Sequence, residues 1–441
     1  MFRRTARWLP WLLSGVICYA ARPALGNGRF PAANQLVVDP EDDRHLVART
    51  TFGLVQSLDA GAQWSWICES AIQTNGFQDP PLLIGEQSTI LLGLDDGVQL
   101  GDAAGCQWTR AQADFTGEPV IDMAGASTHI VAATLAQVDG ALQARIAASS
   151  DGGRHFATLG PLLTDASPVT IEVAPSRSSR LYLGMLDGNL ENGLIARSDD
   201  GGSTWLRTAA PLGPDSTYIS AVDPVDPDRV YLRSMFPSSI VFVSTDAAAT
   251  WSAAYTSASE LTGFALSPDG RRLALGSSAG IVILDTSTPT PYAVLASYAT
   301  PVNCLTWHGT ALYACSSDAS GGFSIGVSTD ARSEFSALLR FADLAPIACP
   351  SNPALARCAT APCTIGELFD ASCSARPTPP LGDAGSAGQA AAPDLSPAGG
   401  GCALKQAPVN VSDGARAFVA LLGALSVFHR RRARRLSSLL S

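Results

Sequence analysis

An eight-residue pattern recurs along this chain, and its spacing limits the fold more than any other feature. Four copies are well formed: Ser57-Leu58-Asp59-Ala60-Gly61-Ala62-Gln63-Trp64, Ser149-Ser150-Asp151-Gly152-Gly153-Arg154-His155-Phe156, Ser198-Asp199-Asp200-Gly201-Gly202-Ser203-Thr204-Trp205 and Ser244-Thr245-Asp246-Ala247-Ala248-Ala249-Thr250-Trp251. A fifth keeps Ser328, Asp330 and Phe335, with Arg332 in place of Gly. Two eroded copies lie between these. One keeps Gly105 and Trp108 but has Ala103 at the Asp position; the other ends at Tyr292 and has Ser287 there. The aromatics stand at 64, 108, 156, 205, 251, 292 and 335, so the spacings are 44, 48, 49, 46, 41 and 43. A period in that range is the mark of a repeat architecture.

The residues between the copies repeat a strand grammar. Before Trp251 it reads Ile219–Pro224, Arg229–Leu232 and Ile240–Val243; before Tyr292 it reads Phe264–Pro268, Leu273–Leu275 and Ile281–Leu284. Short β-rich runs punctuated by Asp-Pro, Asp-Gly and Gly-Gly read as hairpins. Four strands per unit predict a propeller blade, and seven units predict an all-β seven-bladed propeller over 27–344. The pattern itself suits the turn from the third strand to the fourth. Ser and Asp oxygens accept backbone N–H groups there, and Gly61, Gly153 and Gly202 supply positive φ. The aromatic then packs into or between blades. These Asp residues are expected to be structural rather than catalytic.

The pattern resembles the Asp-box (BNR) repeat. Propellers of that type include sialidases, xyloglucanases, sortilin-type receptors and a photosystem II assembly factor family, so the resemblance implies a fold and leaves the activity open. A sialidase would need three convergent Arg residues, an acid and a Tyr–Glu pair. Only Arg29-Phe30-Pro31 is a trace of this, and sialidases generally have six blades. A glycoside hydrolase would need two suitably spaced carboxylates, and 30 Asp and 9 Glu residues leave the choice open. No nucleophile elbow, phosphate loop or cofactor motif is present. His45, His129, His155 and His308 have no metal-ligand spacing and read as surface or packing residues. The leading expectation is a non-enzymatic binding or scaffold module for a protein or a glycan, with glycoside hydrolysis as the alternative.

Charge narrows the partners. Of 29 basic residues only Lys405 is not Arg, and the stretch 27–402 carries 18 basic against 38 acidic residues. A body of net −20 excludes a nucleic-acid binder, which needs a basic footprint, and favours basic or neutral partners.

The two ends read as addresses. Residues 1–26 have basic Arg3, Arg4 and Arg7, an apolar run from Trp8 to Ala20 and small residues at Ala24 and Gly26, which is the form of a secretory signal peptide. Residues 376–401 are a linker in which 19 of 26 are Pro, Gly, Ala or Ser. Residues 402–441 open with Cys402 after three glycines, continue with an apolar helix over Ala417–Phe428 and close with Arg430, Arg431, Arg432, Arg434 and Arg435. Twelve helical residues reach about 18 Å, short of a full membrane span. This ordered set resembles the myxobacterial C-terminal sorting signal (MYXO-CTERM). The resemblance implies processing or lipidation at Cys402, membrane contact through the tail before processing, and a secreted protein anchored at the bacterial cell surface (outer membrane).

Cysteine usage agrees with an oxidising compartment. Cys304 and Cys315 are symmetric about Gly309-Thr310, so a hairpin turning there sets them opposite each other. Cys68 and Cys106 are expected to pair across neighbouring repeats. Cys349, Cys358, Cys363 and Cys373 lie in a segment, 345–375, too small for its own core, and two bridges within it would staple it. Zinc is the alternative there, but no Cys-x-x-Cys spacing exists.

Overall fold

The short apolar runs between turn residues form strands, and each group of four makes one antiparallel meander. The computed structural model describes residues 31–349, apart from 73–78, 235–238, 333 and 348. Within them lie seven sheets. Blade 1 is β1 (Ala33–Val38), β2 (Leu46–Thr50), β3 (Gly53–Ser57) and β4 (Ser65–Cys68). Blade 2 is β5 (Leu82–Ile84), β6 (Ile90–Leu94), β7 (Gly97–Gly101) and β8 (Trp108–Arg110). A short β9 (Gln112–Ala113) leads into blade 3, which is β10 (Val120–Ala126), β11 (His129–Val138), β12 (Ala141–Ser149) and β13 (His155–Thr158). Blade 4 is β14 (Ala166–Val173), β15 (Leu181–Asp187), β16 (Gly193–Ser198) and β17 (Leu206–Ala209). Blade 5 is β18 (Tyr218–Val222), β19 (Val230–Arg233), β20 (Ser239–Ser244) and β21 (Ser252–Ser257). Blade 6 is β22 (Leu261–Leu266), β23 (Arg272–Ser277), β24 (Gly280–Asp285) and β25 (Ala293–Tyr298). Blade 7 is β26 (Cys304–His308), β27 (Ala311–Cys315), β28 (Ile325–Ser328) and β29 (Ser336–Leu339). A last short strand, β30 (Ala345–Pro346), follows.

The first strands of neighbouring blades touch one another around a circle, and β26 meets β1. The protein is therefore a closed seven-bladed β-propeller whose innermost strands surround a central axis. Strand alternation builds the core between blades. In β15, Leu181 and Leu183 pack toward blade 3 with Val131 and Ile146, while Tyr182 packs toward blade 5 with Val230 and Leu232.

The route from one blade to the next has a recurring form. The segment leaving blade 2 runs as β9 along the outer edge of β13, parallel to it. The segment leaving blade 7 does the same to blade 1: β30 lies parallel to β4, with Ala345 opposite Ser65. The seam between blades 7 and 1 is further held by the Thr306 hydroxyl, which donates to the Leu36 carbonyl at 2.6 Å.

Cys304 and Cys315 are opposite partners in the β26–β27 hairpin and are bonded, with Cα atoms 4.9 Å apart. The expected Cys68–Cys106 pair does not form. Cys106 is bonded to Cys349, 243 residues away, with a Cα separation of 5.5 Å. Cys68 faces the core of blade 1, whereas Cys106 stands at the rim, where β30 delivers Cys349. Cys68 is itself disulfide-bonded, to neither of these two. The expectation of two bridges among Cys349, Cys358, Cys363 and Cys373 is corrected by the same bond, because Cys349 staples the propeller instead. Cys358, Cys363, Cys373 and Cys402, the stretch 1–26, the linker 376–401 and the tail 402–441 lie outside the described residues.

Candidate functional site: the motif turns and the central axis

Each well-formed repeat motif is a turn joining the third and fourth strands, and its Ser and Asp work as one acceptor unit. In blade 4 the Ser198 hydroxyl donates to Asp200 Oδ1 at 2.8 Å and accepts from the Gly202 amide at 2.8 Å. Asp200 Oδ1 also accepts from the Thr204 amide, and its other oxygen accepts from the Thr204 hydroxyl. The Ser–Asp bond and the two accepted amides recur for Ser57, Asp59 and Gly61, for Ser149, Asp151 and Gly153, and for Ser244, Asp246 and Ala248. In blade 7 it is looser: Ser328 reaches Asp330 at 3.5 Å, while Asp330 still accepts from the Arg332 amide at 2.8 Å. Phe335 stacks with Phe323, and Phe156 meets Phe115 edge to face.

The donated bonds set the acidity. Thr204 and Thr250 hold the carboxyls of Asp200 and Asp246 down to about 2. For Asp151 burial works the other way, but the bonds from His155 and Ser149 overcome it and leave it at about 2. These carboxylates are committed to turn geometry, with little left for a ligand.

The eroded copies are repaired locally. Where Ala103 replaces Asp, Asp102 one residue earlier accepts from the amides of Cys106 and Gln107. In blade 6 the pair is inverted: Ser287 donates its hydroxyl and its amide to Asp285. The tryptophans differ as well. Trp64, Trp108 and Trp205 donate Nε1 to the carbonyls of Gly61, Gly105 and Gly202. The Trp251 nitrogen finds no partner, and the matching carbonyl of Ala248 accepts from the Thr208 hydroxyl instead.

A second recurring position is shared by four of the seven blades, the others having Ala133, Leu275 and Cys315 there, and reading the sequence from the aromatics missed it. Leu46, Ile90, Leu181 and Val230 each lie opposite the first residue of their own blade's motif. Three residues on stand Arg49, Gly93, Gly184 and Arg233. Here the next blade's first strand comes close. A Cβ at Gly93 would lie 2.6 Å from Val120, and one at Gly184 would lie 1.8 Å from the Thr217 carbonyl. The two arginines solve the same contact by bonding. Arg49 Nη1 donates to the Asp79 and Pro80 carbonyls at 3.0 and 2.9 Å, and Arg233 Nη1 donates to Leu261 at 2.8 Å. The signal was present in the runs Ile90–Gly93 and Leu181–Gly184, and alignment on the second strand would have found it.

Side chains from several blades converge on the axis. Asp122 of β10 accepts from the Ile171 amide with Oδ2 and from the Met123 amide with Oδ1, both at 2.9 Å. Glu172 of β14 stands beside it. Arg233 lies over the Tyr218 ring, 4.2 Å from its centroid. The Tyr218 hydroxyl is pushed up by burial and feels the charges of Arg233, Asp122, Glu172 and Arg49. Those residues belong to blades 5, 3, 4 and 1, so the interactions cross the axis. Burial pushes Asp122 up to about 7, partly offset by the Ile171 and Met123 amides. It pushes Glu172 up to about 8, with the neighbouring Asp122 charge adding to the effect. Between them the two carboxyls hold at least one proton at neutral pH. Asp122 has both oxygens tied to backbone amides.

The four histidines stand apart from this cluster. Buried His45 pairs through Nδ1 with buried Asp39 at 3.1 Å across the β1–β2 turn, the place taken by Arg229 and Asp223 in blade 5. His155 caps Asp151. His129 begins β11 and His308 ends β26. Among the described residues no group of three His, Cys, Asp or Glu could hold a metal. A hollow of about 340 Å³ between blades 5 and 6 is lined by Tyr255, Ser257, Ser277 and Ser297 among others, and no carboxylate lines it.

No protein-family model matches the chain, and no curated protein matches it. Solved structures do. The β-propeller domain of Myceliophteria thermophila Cps50 (Swd1) is 12% identical over 65% of this chain and 94% of that one, with a TM-score of 0.45. A Niastella koreensis GH74 enzyme is 13% identical over 69% of this chain and 65% of that one, with a TM-score of 0.40. YCF48 bound to a D1 peptide is 12% identical over 59% of this chain and 84% of that one, with a TM-score of 0.40. At such identities the likeness is one of fold, and the assignment as a seven-bladed β-propeller rests on the seven sheets themselves.

Proposed function

We propose that this chain is a non-enzymatic binding or scaffold module, an Asp-box type propeller held at the cell surface by a tail processed at Cys402. One observation carries the reading. The motif carboxylates and Asp122 are committed to hydrogen bonds that hold turns and blades, so the repeated acids build a rigid disc. The loops of such a disc can vary without disturbing the core, which suits recognition. The acidic body favours a basic or neutral protein or glycan. The alternative is a glycoside hydrolase that uses Asp122 and Glu172, the two neighbouring carboxyl groups at the axis.

The test is to expose the purified full chain to a broad glycan array and read retained protein and released sugar together. Retention without release is the expected result for a glycan partner. Retention of nothing, followed by capture of a basic or neutral envelope protein in a pull-down, is the expected result for a protein partner. Sugar released by the wild type and not by Glu172→Gln would replace this reading with the hydrolase.

A further inference from the structure

We propose that the hollow between blades 5 and 6 is a site for one neutral sugar unit of a glycan. This rests on the binding reading above and narrows its partner. The hollow, about 340 Å³, lies at the low end of the roughly 300–1,000 Å³ range of small-ligand sites, which suits a single ring. Blade 5 supplies one wall through Tyr255 and Ser257 of β21. Blade 6 supplies the other through Val282 of β24 and Ser297 of β25, which are opposite partners. Tyr255 and Val282 pack against the same apolar cluster in this seam. Backbone contacts fix the rest. The Ser277 hydroxyl donates to the Gly280 carbonyl at 3.2 Å and accepts from the Ala279 amide at 3.1 Å. Gly280, at φ 134°, lies so close to the end of β25 that a Cβ would come within 2.1 Å of the Tyr298 carbonyl. On the other side the Ser257 hydroxyl accepts from the Ser259 amide at 3.2 Å. The walls are thus held by the protein itself, and a ligand has little to order.

The lining decides the ligand class. Among the described residues no Asp, Glu, Lys, Arg or His lines the hollow, although the stretch 27–402 carries 38 acidic and 18 basic residues. A charged group entering it would lose water without finding a counter-charge. The hydroxyls of Tyr255, Ser259 and Ser297 make no hydrogen bond to another described residue. Each can donate and accept. A purely apolar ligand would cover these hydroxyls and leave them unpaired. A neutral sugar ring answers both needs. Its hydroxyls donate and accept at the edge, and its C–H faces pack on the Tyr255 ring and Val282. Further along β25, Val294 lies opposite Leu284 of the same seam and is 57% exposed, which offers apolar contact to the next unit of the glycan. A peptide strand would instead pair along the outer edge of β25, where backbone groups stand in a row, and would not need the hollow.

The experiment prints neutral glucans, mannans and galactans beside sialylated, sulfated and amino-sugar glycans and reads retention of the full chain and its variants. The wild type should be retained on neutral glycans, equally at low and high salt, because no ion pair is made. Ser297 is exposed, so Ser297→Arg fills the hollow with a cation and leaves the core intact. It should weaken retention by about tenfold or more. Tyr255→Phe, which removes only the hydroxyl, should weaken it less than Tyr255→Ala. Leu58→Arg, an exposed position in the motif turn of blade 1, should change nothing. Melting curves of each variant establish that it folds; if Tyr255→Ala does not, Ser297→Arg and Tyr255→Phe decide. Retention on neutral glycans that Ser297→Arg and Tyr255→Phe leave intact would overturn this site while the binding reading stands. Retention confined to charged glycans, or on no glycan, would overturn it too. Capture of an envelope protein would then carry the binding reading alone.

Discussion

Ala60 shows how closely the turn chemistry can be followed at single positions. The fourth and fifth residues of the four well-formed motifs both take positive φ. Glycines stand there in blades 3 and 4, at 70° and 90° and at 70° and 94°. Blade 1 has Ala60 at 60°, and blade 5 has Ala247 and Ala248 at 58° and 69°. An alanine in that region costs roughly 1–2 kcal/mol, and glycine loses roughly 0.5–1 kcal/mol more chain entropy on folding. Ala60 is exposed, so Ala60→Gly removes no packing and should stabilise the protein by about 0.5–1 kcal/mol. A urea midpoint that fails to rise would mean the turn tolerates alanine without strain. At this scale much was legible. Ser, Asp and Gly announced the turn because each residue type has one task in it. The repairs by Asp102 and by the inverted Asp285–Ser287 pair were not legible, since several sequences satisfy the same acceptor need. The partner of Cys106 was not legible either, because it is set by where the chain leaves blade 7.

A blade is a meander that closes on its aromatic, and the aromatics are not equivalent. Trp64 is 4% exposed and belongs to the core shared by blades 1, 2 and 7, whereas Trp205 is half-buried between blades 3 and 4. Trp64→Ala should therefore cost about 3–5 kcal/mol, and Trp205→Ala clearly less. Equal losses in paired melting experiments would mean that the turn, rather than the burial of the ring, sets the contribution. The period of the strands was readable because apolar runs and turn residues alternate at nearly constant spacing. The contacts between blades were harder to read. The position shared by Arg49, Gly93, Gly184 and Arg233 changes from the smallest side chain to one of the longest, yet serves the same approach of the next first strand. Residue type alone hides such a position; only register reveals it.

Across the whole molecule, two sets of carboxyl groups pull stability in opposite directions with pH. The motif aspartates have folded acidities below the ordinary range, so what they contribute is present above about pH 4 and is lost as pH falls toward 2. Asp122 and Glu172 are raised, so what they contribute is present below their ordinary range and is lost as pH rises toward 7 and 8. Stability should peak in mildly acidic solution. Glu172→Gln, which keeps the shape of the protonated acid, should flatten the alkaline side by on the order of 3 kcal/mol. Parallel melting curves for variant and wild type from pH 6 to 9 would show that the Glu172 carboxyl is solvated in the folded protein. The layout of the ring has one more result, and it concerns the order in which the protein comes into being. Every blade draws all four of its main strands from one continuous stretch, and blade 1 borrows only β30 at its outer edge. A chain emerging from its N-terminus can therefore complete blades one by one as an open arc. The last residues of the arc then find the first, and nothing has to be threaded. A chain halted before Ala345 would leave the arc's two ends facing each other without their clasp.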